Sequence, residues 1–145
     1  SCVPASPWLP LAGTLVQYAF AGSMAAALGD TLSSEVGGLY DDPRLITTFE
    51  RVPPGTDGGV TWQGEVFGLV GAVVVAGVAF GLLPGVSTLG AVAVAAGGVV
   101  GMTVDSVLGA TVEGPELGNE AVNFAASVVG AVVSAVAALV VLTAP

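Results

Sequence analysis

The chain has 145 residues, 54% of them hydrophobic and only 9% charged, with a mean hydropathy of +0.92. Soluble domains carry about 25% charged residues, so this composition excludes an ordinary water-soluble fold. The net charge of −9, with two basic residues and no histidine, also excludes a nucleic-acid partner, because phosphates would find almost no countercharge.

The charges are clumped. No acidic or basic side chain falls between Glu65 and Asp105, and none follows Glu120. Uninterrupted apolar runs of about 18 or more residues predict bilayer-spanning helices. The first ten residues, Ser1 to Pro10, hold neither a Met start nor a basic segment, so they do not read as a secretory signal; the chain is compatible with a piece of a longer protein. The lone Cys2 offers neither a disulfide framework nor a cysteine metal site. The first span is predicted at about 9–28, rich in Ala and Gly, and meets polarity at Gly29-Asp30-Thr31. A motif loop follows over 29–65, with turn-forming Asp42-Pro43 and Pro53-Pro54-Gly55. The second span covers about 66–83, and Pro84-Gly85 turns into the third at about 86–104, which ends at Asp105. A short acidic loop with Glu113, Glu116 and Glu120 leads to the fourth span at about 121–142.

The expected architecture is therefore all-α: one integral membrane domain, a polytopic bundle of about four transmembrane helices. A bundle this small suggests homo-oligomerisation or further, N-terminal spans to complete its core. Small residues at i, i+4 spacing (Gly64/Gly68, Gly77/Gly81, Gly97/Gly101 and the series Ser127, Ala131, Ser134, Ala138) predict close helix packing. Arg44 and Arg51 lie in the first loop, which the positive-inside tendency places in the cytoplasm of a multi-pass cell-membrane protein. The loop before the last span falls on the same side, so nearly every ionisable group shares one face of the membrane. Acidic loops without lysine match the compositional bias of salt-adapted organisms.

Three constellations could carry chemistry. Along Gly29-Asp30-Thr31-Leu32-Ser33-Ser34-Glu35, a continuing helix would set Asp30, Ser33, Ser34 and Gly37 on one face. A carboxylate with neighbouring hydroxyls suits a hard cation such as Mg²⁺; the alternative is a solvated helix end. In Val52-Pro53-Pro54-Gly55-Thr56-Asp57-Gly58-Gly59, the glycines allow consecutive N–H groups to cradle an anion, with Arg51 adding charge; the alternative is a plain turn. Val104-Asp105-Ser106 repeats the first pattern, and two such steps could pair their carboxylates around metal, although helix caps would look the same. Asn119 and Asn123 would complete a polar pocket or cap the last helix.

The ordered motifs GDTLSSEVG, RVPPGTDGGVTWQG, VDSVLGATVEG and NEAVNF resemble the integral membrane family that includes transmembrane protein 19 and the plant phytyl-phosphate kinase. That family is distantly similar to CTP-dependent polyprenol kinases and CDP-diacylglycerol synthases. The resemblance implies phosphoryl transfer from CTP to an isoprenoid or other lipid phosphate, with Mg²⁺. It implies Asp30 and Asp105 as catalytic residues, and Glu35 with them as metal ligands. It implies Arg51, Gly55, Thr56, Gly58 and Gly59, with Ser34 and Ser106, as nucleotide or phosphate contacts. Arg51 stands where the resemblance suggests Lys, and Asp57 where it suggests Asn. Members of the family usually carry further spans before this region. The alternatives are a small-solute or ion transporter using the helix-end carboxylates, or a non-catalytic membrane subunit.

Overall fold

A computed structural model of the chain describes residues 8–112 and 118–143. Four helices make up most of it: α1 (Trp8–Gly37), α2 (Trp62–Leu82), α3 (Thr88–Thr111) and α4 (Asn119–Thr143). Each is long and apolar enough to cross a membrane. A two-stranded antiparallel ribbon, β1 (Arg44–Leu45) and β2 (Gly59–Val60), sits in the connection between α1 and α2. The protein is an all-α polytopic bundle, and successive helices run in alternate directions.

Helix α1 continues well past the end of its apolar stretch. Its 30 residues span about 45 Å at 1.5 Å per residue, against a hydrocarbon core of about 30 Å. Within the extension the Thr31 and Ser34 hydroxyls donate back to the carbonyls of Ala27 and Asp30 (2.9 and 3.0 Å), which satisfies both side chains without a break in the helix. Helix α3 likewise runs six residues beyond Asp105, to Thr111. Both carboxylates therefore sit on rigid helix rather than in loops.

Lipid provides no hydrophobic drive between helices, so the bundle must be held by close van der Waals packing. The buried side chains are accordingly small: Ala21, Ala25, Ala26, Ala72, Ala76 and Ala79 lie inside, while most Val, Leu and Phe side chains face outward. Gly64, Gly68 and Gly71 press α2 onto α1, where added methyls would meet the carbonyls of Ser33, Gly29 and Leu28. Gly22 and Gly97 close around Ser134, a fully buried serine that donates to the Ala93 carbonyl at 3.4 Å, and Gly130 packs against the Gly22 carbonyl and Ala26. Gly77 and Gly81 behave differently: a Cβ on either meets nothing within 4 Å. Their spacing suggests a helix interface, but the α2 contact face is the Gly64–Gly68–Gly71 series, and these two glycines look outward.

The end of the bundle remote from the ribbon is closed by Tyr18. Its fully buried ring packs against Gly90, and its hydroxyl donates to the Gly85 carbonyl (3.1 Å) and accepts from the Ser87 N–H (3.2 Å). Ser87 in turn caps α3 by accepting from Gly90 N–H. The tight turn between α2 and α3 is thus fastened to α1.

These contacts predict opposite outcomes for two similar substitutions. Gly97→Ala drives a methyl into Ser134 and the Gly130 carbonyl and should cost about 1–3 kcal/mol by overpacking. Gly77→Ala meets open space and should be neutral or stabilising by about 0.5–1 kcal/mol, through the lower entropic cost of helical alanine. Equilibrium unfolding in mixed micelles distinguishes them; equal effects would contradict this packing.

Candidate functional site

The polar ends of all four helices gather at one end of the bundle around a cavity of about 230 Å³. Helix α1 supplies Asp30, Ser33, Ser34 and Gly37, one stripe at i, i+3, i+4 and i+7. Helix α3 supplies Asp105, Ser106 and Gly109, the start of α4 supplies Asn119, and the loop Gly55–Gly59 forms the roof. The carboxyl groups of Asp30 and Asp105 approach within hydrogen-bonding reach of each other. One oxygen of Asp105, Oδ1, is buried with no hydrogen-bond partner.

Two neighbouring contacts fix this floor. Thr61 is buried and caps α2, its hydroxyl accepting from the Gly64 N–H at 3.2 Å while packing beside Gly37. Ser33 donates to Glu65 Oε1 at 3.3 Å, tying α1 to the first turn of α2. The sequence placed Ser33 on the Asp30 face, but Glu65 and Thr61 were not singled out as site residues. The available signal was slight: one acid in the first turn of a charge-free helix, directly after a threonine in capping position.

The roof is a shaped loop. Gly55 and Gly58 take positive φ of 83° and 70°, a region that L side chains enter only with strain. A Cβ on Gly58 would also strike Ala110 and the Ser106 carbonyl, so this glycine lets the loop lie directly on α3. The loop does not offer an unbroken run of free amides. The Thr56 N–H donates to the Pro53 carbonyl (3.2 Å) and the Gly59 N–H to the Thr56 carbonyl (2.9 Å). The strand ribbon holds its base: Arg44 pairs with Val60 and Leu45 with Gly59.

Eight of the ten candidate residues from the sequence meet here: Asp30, Ser34, Gly55, Thr56, Gly58, Gly59, Asp105 and Ser106. The other two do not line this cavity. Glu35 is exposed, about 140° around the helix from Asp30 at 100° per residue. Arg51 is drawn away by the ribbon, where it bridges to Arg44, and its Nε contacts Asp42 at 3.0 Å beside a separate depression near Tyr40 and Trp62. That ion pair is solvent-exposed and contributes little to stability. Cys2, Glu113 and Glu116 lie outside the described residues.

The cavity lining contains Asp30, Asp57 and Asp105 but no Lys or Arg. Its side-chain donors are all oxygen or amide groups, which suits a hard cation; one or two carboxylates, with ligand phosphates and water, are what Mg²⁺ commonly takes. Among the described residues no group of three or more His, Cys, Asp or Glu is arranged to hold a metal by itself. An anion could settle here only with a cation beside it, helped by the N-termini of α2 and α4.

The family described as integral membrane protein DUF92 matches residues 3–131. The chain belongs to that family. It is 40% identical over 116 residues to the uncharacterized membrane protein MJ0933 of Methanocaldococcus jannaschii, covering 79% of this chain and 48% of that protein. It is 42% identical over 108 residues to Protein PGR of Arabidopsis thaliana (63% and 36% of the two chains). To Protein VTE6, chloroplastic, of Arabidopsis thaliana it is 31% identical over 125 residues (83% and 37%). The chain thus spans less than half the length of these relatives. No solved structure matches it.

The seat of the loop is open to test. Gly58→Ala adds about 1–2 kcal/mol of backbone strain and a clash with α3, so it should lift the roof away. Amide exchange over residues 43–60 should accelerate about tenfold or more, with the helices unchanged. Unaltered exchange would mean that Gly58 does not set the loop's position.

Proposed function

We propose that this domain carries a phosphotransferase site, which moves a phosphoryl group from CTP to a lipid phosphate at the membrane surface. The observation that carries the reading is the meeting of Asp30 and Asp105 beneath the Gly55–Gly59 loop, at the membrane-facing floor of a cavity. The motif resemblance to the phytyl-phosphate kinase supports the same reaction class. By the positive-inside tendency, Arg44 and Arg51 would set the cavity on the cytoplasmic side of the cell membrane.

Two carboxylates this close repel unless a cation or proton joins them. With the unpartnered Asp105 Oδ1 and the surrounding hydroxyls, the pair fits a divalent cation, Mg²⁺ in this proposal. When bound, the cation would supply charge neutralisation for the donor phosphates. Asp30 and Asp105 would hold it, each carried on a helix. Ser34, Thr56 and Ser106 offer hydroxyls to phosphate oxygens, and the loop overhangs the cavity. The acceptor is already ionised, so its oxygen attacks without a strong general base, consistent with a site that lacks histidine. Catalysis of this kind is mainly positioning and charge stabilisation. Glu35 and Arg51, which do not line the cavity, are given no role in this proposal.

The test is phosphoryl transfer by the full-length protein in high-salt proteoliposomes, with labelled CTP, Mg²⁺ and a panel of isoprenyl monophosphates. Wild type should form lipid diphosphate. Asp30→Asn and Asp105→Asn should each lower the rate by roughly 10²-fold or more, while Glu35→Gln retains it. Folded wild-type protein inert with every nucleotide and acceptor would overturn the kinase reading in favour of transport.

A further inference from the structure

Asp30 and Asp105 also form the wall of a second cavity. It is smaller, about 90 Å³, and lies between α1, α3 and α4, with Thr31, Asn123 and Ser127 among its lining residues. Thr31 and Asn123 are exposed and Ser127 is half-buried, so the notch opens on the outer surface of the bundle between α1 and α4. Its surroundings are apolar: Phe124 beside Asn123 is 72% exposed, and Val128 beside Ser127 is 44% exposed. Asn123 and Ser127 lie four and eight residues into α4, about 6 and 12 Å along its axis. With α4 entering the bilayer at its first turn, that depth is where head groups give way to chains.

A polar notch in a lipid-facing wall is costly unless something polar fills it. Its donors can be counted. The Thr31 hydroxyl already donates to the Ala27 carbonyl at 2.9 Å, which leaves the Ser127 hydroxyl and the Asn123 amide as side-chain donors. They match the oxygens of a small acceptor-rich group. No basic side chain lines the notch, so an anionic group there would have to share the cation proposed for the two carboxylates.

We propose that this notch binds the head group of the lipid acceptor, a phosphomonoester whose apolar chain stays in the bilayer against α1 and α4. The inference rests on the phosphotransferase reading and assigns the two substrates to opposite sides of the carboxylate pair. The nucleotide enters under the loop, and the lipid enters laterally. An acceptor phosphate oxygen bonds to the terminal phosphorus of the nucleotide as the bond from that phosphorus to the bridging oxygen breaks. The electron pair leaves with the nucleoside diphosphate, and the lipid departs as a diphosphate. Approach from opposite sides is what an in-line displacement requires.

Asn123→Ala and Ser127→Ala test the assignment, with Val128→Ala as a lipid-facing control. With full-length protein in nanodiscs, direct binding of a labelled isoprenyl monophosphate is measured with Mg²⁺ and without nucleotide. Each notch variant should weaken binding about tenfold, the effect of losing one hydrogen bond to a charged group. In turnover, KM for the lipid should rise by a similar factor while KM for CTP stays put, and the control should change neither. Excess inorganic phosphate should fail to displace the lipid; equal displacement would reveal a free-phosphate site and overturn the proposal. Lipid binding unchanged in both variants, or a rise confined to KM for CTP, would also overturn it. If wild type transfers nothing from CTP yet binds the lipid through Asn123 and Ser127, the notch stands and the kinase reading alone falls.

Discussion

Helices in lipid have no solvent to flee, so they stay together only where their backbones come close enough for dense dispersion contact. In this protein that condition is met by glycine and alanine at nearly every crossing. Gly98 lies where α1, α2 and α3 converge on Ala25 and Ala72, and Gly101 brings α3 against Ala26 and the Ala126 carbonyl. The same crossings set the chemistry. Asp30 and Asp105 meet because α1 and α3 approach through these small residues one to two turns below them. A bulkier seam would hold the carboxylates apart and leave two solvated helix ends.

The site that results is unbalanced in charge. Three carboxylates line the larger cavity, and the chain's two arginines are spent in the ribbon and on Asp42. Arg44 donates to the Phe49 carbonyl at 2.9 Å, steadying a turn in which Phe49 itself takes a positive φ of 59°. Basic residues thus shape the loop from outside while acids and hydroxyls face inward. This separation favours a cation as first occupant and makes anion binding depend on it.

Much of this was legible in the sequence. Three charge-free intervals, the middle one divided at Pro84-Gly85, marked the four spans, because a bilayer tolerates almost nothing else. The i, i+3, i+4 pattern placed Asp30, Ser33, Ser34 and Gly37 on one face, as the cavity has them. Two features were not legible, for physical reasons. Spacing alone marks Gly77/Gly81 and Gly97/Gly101 alike, since the period gives a helix face but not what that face meets. Arg51 precedes the glycine loop in sequence, yet the register of a short ribbon turns it away. Whether Asp30 and Asp105 meet depends on which helices are neighbours, a property of the whole bundle rather than of any one motif.

The overlong α1 has a consequence for supply. With its apolar length set across a bilayer, its last turns would carry the loop above the surface, leaving the larger cavity toward water and the notch below toward lipid. A ligand reaching the loop side is drawn from a volume, and its occupancy follows molar concentration. One reaching the notch is drawn from a sheet, and its occupancy follows mole fraction among the surrounding lipids. Diluting the membrane with inert lipid starves one side and leaves the other untouched, so the two faces of a single carboxylate pair answer to different measures of abundance.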